Sequence, residues 1–275
     1  MQILSLEAAV ALEGCYQELL NSKSYEHILN EVPGAIIRKQ DRFANCTLEI
    51  NRGANSLEYF QNKIVRSGMP GSSMFDWDMV YLIEQLIERQ HAEAGLHTLH
   101  ASAVELNGKS VIFAGSSGAG KSVLAAYGIT QGYRFSGGEK VLVNSCRIAA
   151  GSQLLCVGAA PAARFLPHGK PIYQVYEKIP TSKISAIVFP KIFNGKGFRR
   201  DLDDITGRFR LSEVIDEKLR GDFLVSMQTI SAQSIDTATT RESRRKLLNK
   251  LSKKVAFIAI EGNLKYIYKE VEKLI

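Results

Sequence analysis

One short segment of the chain combines the residues of a phosphate-binding loop. Residues 115–122 read GSSGAGKS and match the pattern G-x-x-x-x-G-K-[ST] in full. The apolar run VIFA precedes them and VLAAYGI follows, which is the strand-to-helix setting that the motif requires. Glycines let successive N–H groups turn inward, and these donors form an anion site together with the helix N-terminus. The loop therefore predicts binding of a nucleoside triphosphate, with ATP against GTP left open because no base-reading motif stands out, by Gly115, Ser116, Ser117, Gly118, Ala119, Gly120, Lys121 and Ser122.

The side chains of this loop have distinct expected roles. Lys121 reaches the β- and γ-phosphates, and the hydroxyl of Ser122 binds Mg²⁺. A further acid is expected at the metal, but the apolar strand at residues 184–193 ends without one. Glu261 ends the late strand at 255–262, and we interpret it as a surface carboxylate. Glu139, in FSGGEKVLV after the loop's helix, is the nearer candidate, so Ser122 and Glu139 are the predicted metal ligands.

Composition and charge limit the class of protein. Hydrophobic residues make up 45% of the chain and charged residues 23%, as in an ordinary globular protein. The N-terminus lacks a basic start and no apolar run reaches the ~18 residues of a membrane helix, so we predict a cytoplasmic protein without a membrane segment. The four cysteines form no C-x-x-C pair and are predicted to be free thiols.

The net charge of +7 favours anionic partners. Much of the excess lies in RESRRKLLNKLSKK, residues 241–254, which we interpret as the solvated face of a helix. No aromatic residues are interleaved with these bases, which argues against nucleic-acid binding.

The elements that must position the loop follow from periodicity and turn residues. Residues 1–75 are predicted to form a small β-rich region with strands in HILNEV, GAIIRKQ and CTLEINRG, and residues 76–275 a nucleotide-binding domain that opens with a helix ending near Gly95. A hairpin is expected at Asn107-Gly108 and another at Gly151-Ser152. Helices are expected at 121–131, after residue 201 and at the end of the chain. The predicted class is α/β or α+β with a mixed sheet.

Three blocks between Leu99 and Val143 carry a family resemblance. LHASAV is a histidine-bearing strand, VIFAGSSGAGKSVLAA contains the loop, and GYRFSGGEKVLV follows the short helix. Their order resembles the catalytic domain of HPr kinase/phosphorylase and its relatives, which include kinases that tailor lasso peptides. The resemblance implies a P-loop fold related to phosphoenolpyruvate carboxykinase.

The same resemblance implies roles for particular residues. His100 would lie near the transferred phosphate, Ser122 and an acid after the helix would hold Mg²⁺, and Arg164 in PAARFLP would lie near the phosphates. Relatives carry Asp-Asp in the acidic turn, where this chain reads Gly138-Glu139. In the relatives one Asp acts as the base and the other helps to bind the metal. With one carboxylate left in this chain, either Glu139 serves both roles, another acid substitutes, or catalysis is weak or absent.

The resemblance implies an ATP- and Mg²⁺-dependent kinase that phosphorylates a hydroxyl of a peptide, protein or small metabolite. The alternative is a nucleotide-binding regulator or assembly factor with weak or no phosphotransfer. A phosphorolytic or decarboxylating activity lacks a supporting His/Asp metal set.

The segment FPKIFNGKGFRRDL contains four basic residues: Lys191, Lys196, Arg199 and Arg200. These residues either bind an acidic substrate or the nucleotide, or they belong to a solvated loop. The sequence also leaves open whether the protein forms a homo-oligomer.

Overall fold

The structure is a computed structural model of the full chain. It describes residues 37–39, 47–51, 56–60, 63–67, 88–89, 91–152, 154–157, 172–175, 181–219, 230–232 and 236–275. The predicted strand in HILNEV and most of the helix predicted to end near Gly95 lie outside these residues. The predicted boundary between residues 75 and 76 lies there too, and it stays a prediction.

The described residues form fifteen strands and four helices longer than three residues. The strands are β1 (Ile37–Lys39), β2 (Thr47–Asn51), β3 (Ser56–Phe60), β4 (Lys63–Ser67), β5 (Leu96–Leu106), β6 (Lys109–Ala114), β7 (Arg134–Gly137), β8 (Lys140–Asn144), β9 (Arg147–Gly151), β10 (Leu154–Val157), β11 (Ile172–Val175), β12 (Ser182–Ile192), β13 (Phe198–Asp201), β14 (Ile230–Ala232) and β15 (Ala256–Gly262). The helices are α1 (Lys121–Thr130), α2 (Asp204–Leu219), α3 (Ala238–Ser252) and α4 (Leu264–Glu272). Among the described residues, no helix combines the length and apolar character needed to cross a membrane.

The chain divides into two compact units, which are described separately. The first comprises Met1–His91 and Leu219–Thr240, and the second Ala92–Lys218 and Arg241–Ile275. In the first unit, five strands form a sheet in the order β1-β2-β4-β3-β14. Its last strand comes from late in the sequence and pairs in parallel with β3.

The second unit is mixed α/β, built on an eight-stranded sheet of parallel and antiparallel strands. The order is β13-β15-β12-β6-β5-β8-β9, with β7 added alongside β5. Strands β6, β12 and β15 pair in parallel, and every other pairing recorded in this sheet is antiparallel. The start of β12 also pairs with β9, which closes a ring through β12, β6, β5, β8 and β9. The mixed sheet predicted from the sequence is confirmed.

Alternating side chains give this sheet two buried faces, as the two-residue period of a strand requires. Val104, Val111 and Phe113 pack against α1 and α4 on one face. Ala103, Ile112 and Ala114 pack against α2 and α3 on the other. The unit is therefore a three-layer structure whose central strands are apolar on both sides.

Local predictions in this unit are mostly confirmed. Asn107 and Gly108 have φ of 54° and 78° and join β5 to β6, as a two-residue hairpin turn requires. Helix α4 begins after Asn263, whose side chain accepts a hydrogen bond from the Tyr266 N–H at 2.9 Å. The hairpin predicted at Gly151-Ser152 is wrong, because β9 pairs with β8 and β12 whereas β10 pairs with β11.

Candidate nucleotide and phosphotransfer site

The predicted phosphate loop connects β6 to α1. Gly115, Gly118 and Gly120 have φ of 147°, 82° and 90°, values that an L side chain rarely adopts. Gly120 supplies no capping side chain, and the first turn of α1 contains no acidic residue. The amides that open α1 thus face no carboxylate of their own helix, which leaves the positive end of its dipole suited to an anion.

Lys121 is held inside the loop. Its side chain is 6% exposed, and Nζ donates to the carbonyl oxygens of Gly115 at 2.8 Å and Ser116 at 2.9 Å. Both acceptors are neutral, so these bonds position the ammonium group without cancelling its charge. A cation held against the loop backbone in this way suits the binding of a phosphate group.

The end of β12 supports the loop from beneath. A methyl group on Gly120 would lie 2.3 Å from Cδ1 of Ile192, so the loop backbone and this side chain are in close contact. The Phe193 N–H donates to the Gly262 carbonyl at 3.0 Å, which joins the ends of β12 and β15. Local sequence signals could not identify Ile192 as a support of the loop, because Gly120 lies 72 positions away along the chain.

Strand β5 brings His100 to the loop. Ala101 of β5 is paired with Ala114, the last residue of β6, and His100 is paired with Lys140, the first residue of β8. His100 therefore lies next to Ala101, whose partner Ala114 is the last residue before the loop. By strand alternation it shares a sheet face with Val104, which packs against α1.

Glu139 lies in a strained turn beside the same strand. The Lys140 N–H donates to the Gly138 carbonyl and closes a three-residue turn centred on Glu139, whose φ is 54°. The Ala101 N–H donates to the Glu139 carbonyl at 3.1 Å. Two strand spacings separate this backbone from the end of β6, a distance of about 10 Å that a triphosphate and a glutamate side chain can bridge together.

Two glycines hold this acidic turn against β9. A methyl group on Gly137 would lie 3.1 Å from the Cα of Gly151, and one on Gly151 would lie 2.5 Å from the Ser136 carbonyl oxygen. Gly138 and Ser152 add a main-chain hydrogen bond of 3.2 Å. The Gly151-Ser152 pair read as a hairpin turn from the sequence instead provides the close approach that fixes the turn carrying Glu139.

A buried polar group near His100 was missed by sequence reasoning. Ser102 is fully buried, and its hydroxyl has no hydrogen-bond partner within the described part of the chain. It lies two residues after His100 and so on the same sheet face. The signal in LHASAV is the alternation of polar His100 and Ser102 with apolar residues, which places the two on one face of a strand.

The basic residues between positions 191 and 200 make different contacts from one another. Lys191 lies 3.7 Å from Glu261, its register partner on β15. Arg199 pairs with Asp201 at 3.0 Å and with Glu270 at 3.3 Å, which makes it a link between β13 and α4. Lys196 and Arg200 are exposed. Arg164 lies outside the described residues, so its role stays a prediction.

The donor set is suited to Mg²⁺ bound together with a nucleotide. Within the described ranges, no group of three or more His, Cys, Asp or Glu side chains could form a metal cage. Mg²⁺ retains several waters and takes one or two protein oxygens plus substrate phosphates. The half-buried Ser122 hydroxyl and the exposed Glu139 carboxylate are oxygen donors of that kind.

In comparisons with known proteins, no family model and no curated protein matches this chain.

Proposed function

We propose that this protein is an ATP-dependent kinase with an HPr-kinase-like nucleotide-binding domain, acting on a hydroxyl of a peptide, protein or small metabolite. The observation that carries the proposal is the register of β5. Strand β5 lies between β6 and β8, so that His100 lies beside both the end of β6, where the phosphate loop starts, and the start of β8, which follows Glu139. The order of hairpin, loop, short helix and acidic turn along the chain supports the proposed fold.

Each residue of this edge has a role in the proposed reaction. The loop amides and Lys121 bind the β- and γ-phosphates. Ser122 and Glu139 would hold Mg²⁺, which neutralises phosphate charge when it is bound. The acceptor oxygen attacks the γ-phosphorus, the bond to the β-phosphate oxygen breaks, and ADP leaves. In this proposal His100 binds the transferred phosphoryl group, and Glu139 accepts the proton of the acceptor hydroxyl.

A single carboxylate is compatible with turnover. The phosphoryl transition state is loose and mostly dissociative, so positioning and charge neutralisation matter more than a strong base. The turn around Glu139 is anchored to Ala101 and, through Gly138, to Ser152. Such anchoring holds the carboxylate-bearing residue in place before substrate arrives.

The test is phosphate transfer by the purified full chain. Labelled ATP and Mg²⁺ are incubated with hydroxyl-bearing peptides, proteins and metabolites, and nucleotide affinity is measured in parallel by titration calorimetry. We expect Lys121→Ala to weaken ATP binding by about 100-fold, because charge-assisted bonds to phosphate are lost. Lys265→Ala, on the exposed side of α4, is the matched control and should leave affinity unchanged. Tight ATP binding without transfer of label to any acceptor would refute the kinase assignment.

A nucleotide-binding regulator is the second candidate. The observation that favours it is the reduction of the acidic turn to one exposed carboxylate at Glu139. Glu139→Gln separates the two candidates. In a kinase the variant loses phosphate transfer by orders of magnitude, whereas in a regulator it retains the binding of nucleotide and partner on which the function depends.

A further inference from the structure

Cations are concentrated at the edge of the second unit's sheet opposite the phosphate loop. Lys183, near the start of β12, is paired with Lys109 at the start of β6 and with Arg147 at the start of β9. All three residues are exposed. Directly paired residues share a sheet face, and neighbouring strands are about 4.8 Å apart. Three positive side chains therefore stand side by side.

The end of α3 adds to this cluster. The Cys146 thiol contacts the Lys250 carbonyl oxygen at 3.9 Å, and the Cys146 carbonyl accepts a hydrogen bond from the Ile184 N–H at 2.9 Å. Cys146 thus ties the last turn of α3 to the starts of β9 and β12. Three further exposed cations follow from this turn to the start of β15: Lys250, Lys253 and Lys254.

Among the described residues, these charges have no acidic partner. In the part of the chain that the structure describes, no ion pair involves any residue of the basic edge, defined as Arg147, Lys183, Lys250, Lys253 and Lys254. Lys109 flanks them, and its Nζ donates to the Ile275 carbonyl oxygen at 2.8 Å. Elsewhere on α3, Arg245 and Lys246 pair with Glu242. The absence of compensation is therefore a property of this edge and not of the helix as a whole.

Folding alone does not account for the pair Arg147 and Lys183. Like charges directly opposite each other on antiparallel strands destabilise a sheet. Lys250 interacts favourably with the C-terminal end of the α3 dipole, but the two strand residues gain nothing comparable. A bound anionic ligand would reduce the repulsion between these two side chains.

We propose that the basic edge is a docking surface for an acidic polypeptide segment. Four of its five residues are lysines, whose compact ammonium groups attract anions as point charges. The large exposed apolar residues of the described chain belong to β13 and α2, so this edge offers no platform for stacking bases; they are Phe198, Ile205 and Phe209. Charge complementarity and the missing stacking groups together favour an acidic protein over a single-stranded nucleic acid.

This surface is independent of the proposed phosphate transfer. The six residues of β6 separate it from the loop by about 20 Å, so a docked segment leaves the nucleotide site clear. It would serve a kinase that recruits a protein acceptor and equally a regulator that holds a partner.

The test is binding of a fluorescein-labelled peptide of about a dozen residues, mostly glutamate, to the full chain without nucleotide, followed by fluorescence anisotropy. We expect affinity to fall as salt rises, and the double variant Arg147→Glu, Lys183→Glu to weaken binding at least about tenfold at low salt. The double variant Lys265→Glu, Lys269→Glu changes net charge equally on exposed positions of α4 and should retain most of the affinity.

Three outcomes would overturn the proposal. One is equal loss in both double variants, which would reflect net charge alone. Another is equal binding of a peptide with glutamine in place of glutamate. The third is tighter binding of a DNA duplex or of phosphatidylserine vesicles at the same salt, which would assign the edge to a phosphate-bearing ligand. Lys121→Ala should leave peptide binding intact, so a failed kinase assay does not affect this result.

Discussion

The strained turn at Glu139 predicts that stability and function oppose each other at one position. A residue other than glycine in the left-handed region costs about 1–2 kcal/mol. Glu139 has φ of 54°, and its side chain is exposed, so little packing offsets that cost. Glu139→Gly removes the steric cost but adds about 0.5–1 kcal/mol of conformational entropy to the unfolded chain. We expect a net gain of about 0.5–1 kcal/mol.

The gain is measurable as a rise in melting temperature. For a chain of this size, the net change corresponds to about 1–3 °C. Glu139→Gln is the matched variant, because it removes the charge and retains an unbranched side chain in the same conformation, so its stability should equal that of the natural chain. Asn107→Gly provides a second control, since Asn107 has the same φ of 54° in a hairpin. Asparagine tolerates this region, so that variant should gain nothing.

The assay combines thermal unfolding with phosphate transfer on the same preparations. Both variants of Glu139 should lose transfer, and only the glycine variant should gain stability, as expected where strain is retained for function. If Glu139→Gly is no more stable than Glu139→Gln, the turn is not strained as argued. If it is more stable and fully active, the carboxylate has no role in the reaction.

Two further predictions concern the support of the loop. Gly120→Ala should destabilise the protein by about 2 kcal/mol or more and weaken ATP binding, because the new methyl group would lie 2.3 Å from Cδ1 of Ile192 and the backbone φ is 90°. Calorimetry measures both the stability and the affinity, and an unchanged affinity would contradict the role of that contact. Tyr268→Phe should cost about 1–2 kcal/mol in urea unfolding, since the buried hydroxyl donates to a main-chain carbonyl of α1 at 2.7 Å. Burial raises the pKa of Tyr268 well above its usual value, so its contribution is present below pH ~10 and declines as pH rises and the unfolded chain ionises. The variant should therefore show a smaller alkaline loss of stability, and an identical pH profile would count against this reasoning.

Local sequence signals predicted the elements that carry the site. The glycines of residues 115–122 admit the loop conformation, Asn107-Gly108 specifies the hairpin, and the loop motif predicts the helix that follows it at residues 121–130. These features depend on contacts within a few residues, which is why the chain alone determines them.

Pairing between distant strands was not determined in this way. Gly151-Ser152 permits a bend, but the turn residues do not select a partner, and β9 instead joins β8 and the start of β12. A strand's apolar pattern specifies a buried face and not the strand beside it.

The sequence by itself predicted a phosphate-binding loop, with a histidine before it and an acid after it along the chain. Only the tertiary structure decided that β5 lies between β6 and β8 in the register that brings His100 and Glu139 to that loop. It also decided that cations from separate segments, Lys183 and Arg147 among them, meet at the opposite edge. The physical reason is that side-chain neighbours across a sheet are set by long-range hydrogen-bond register, which no local pattern of residues encodes.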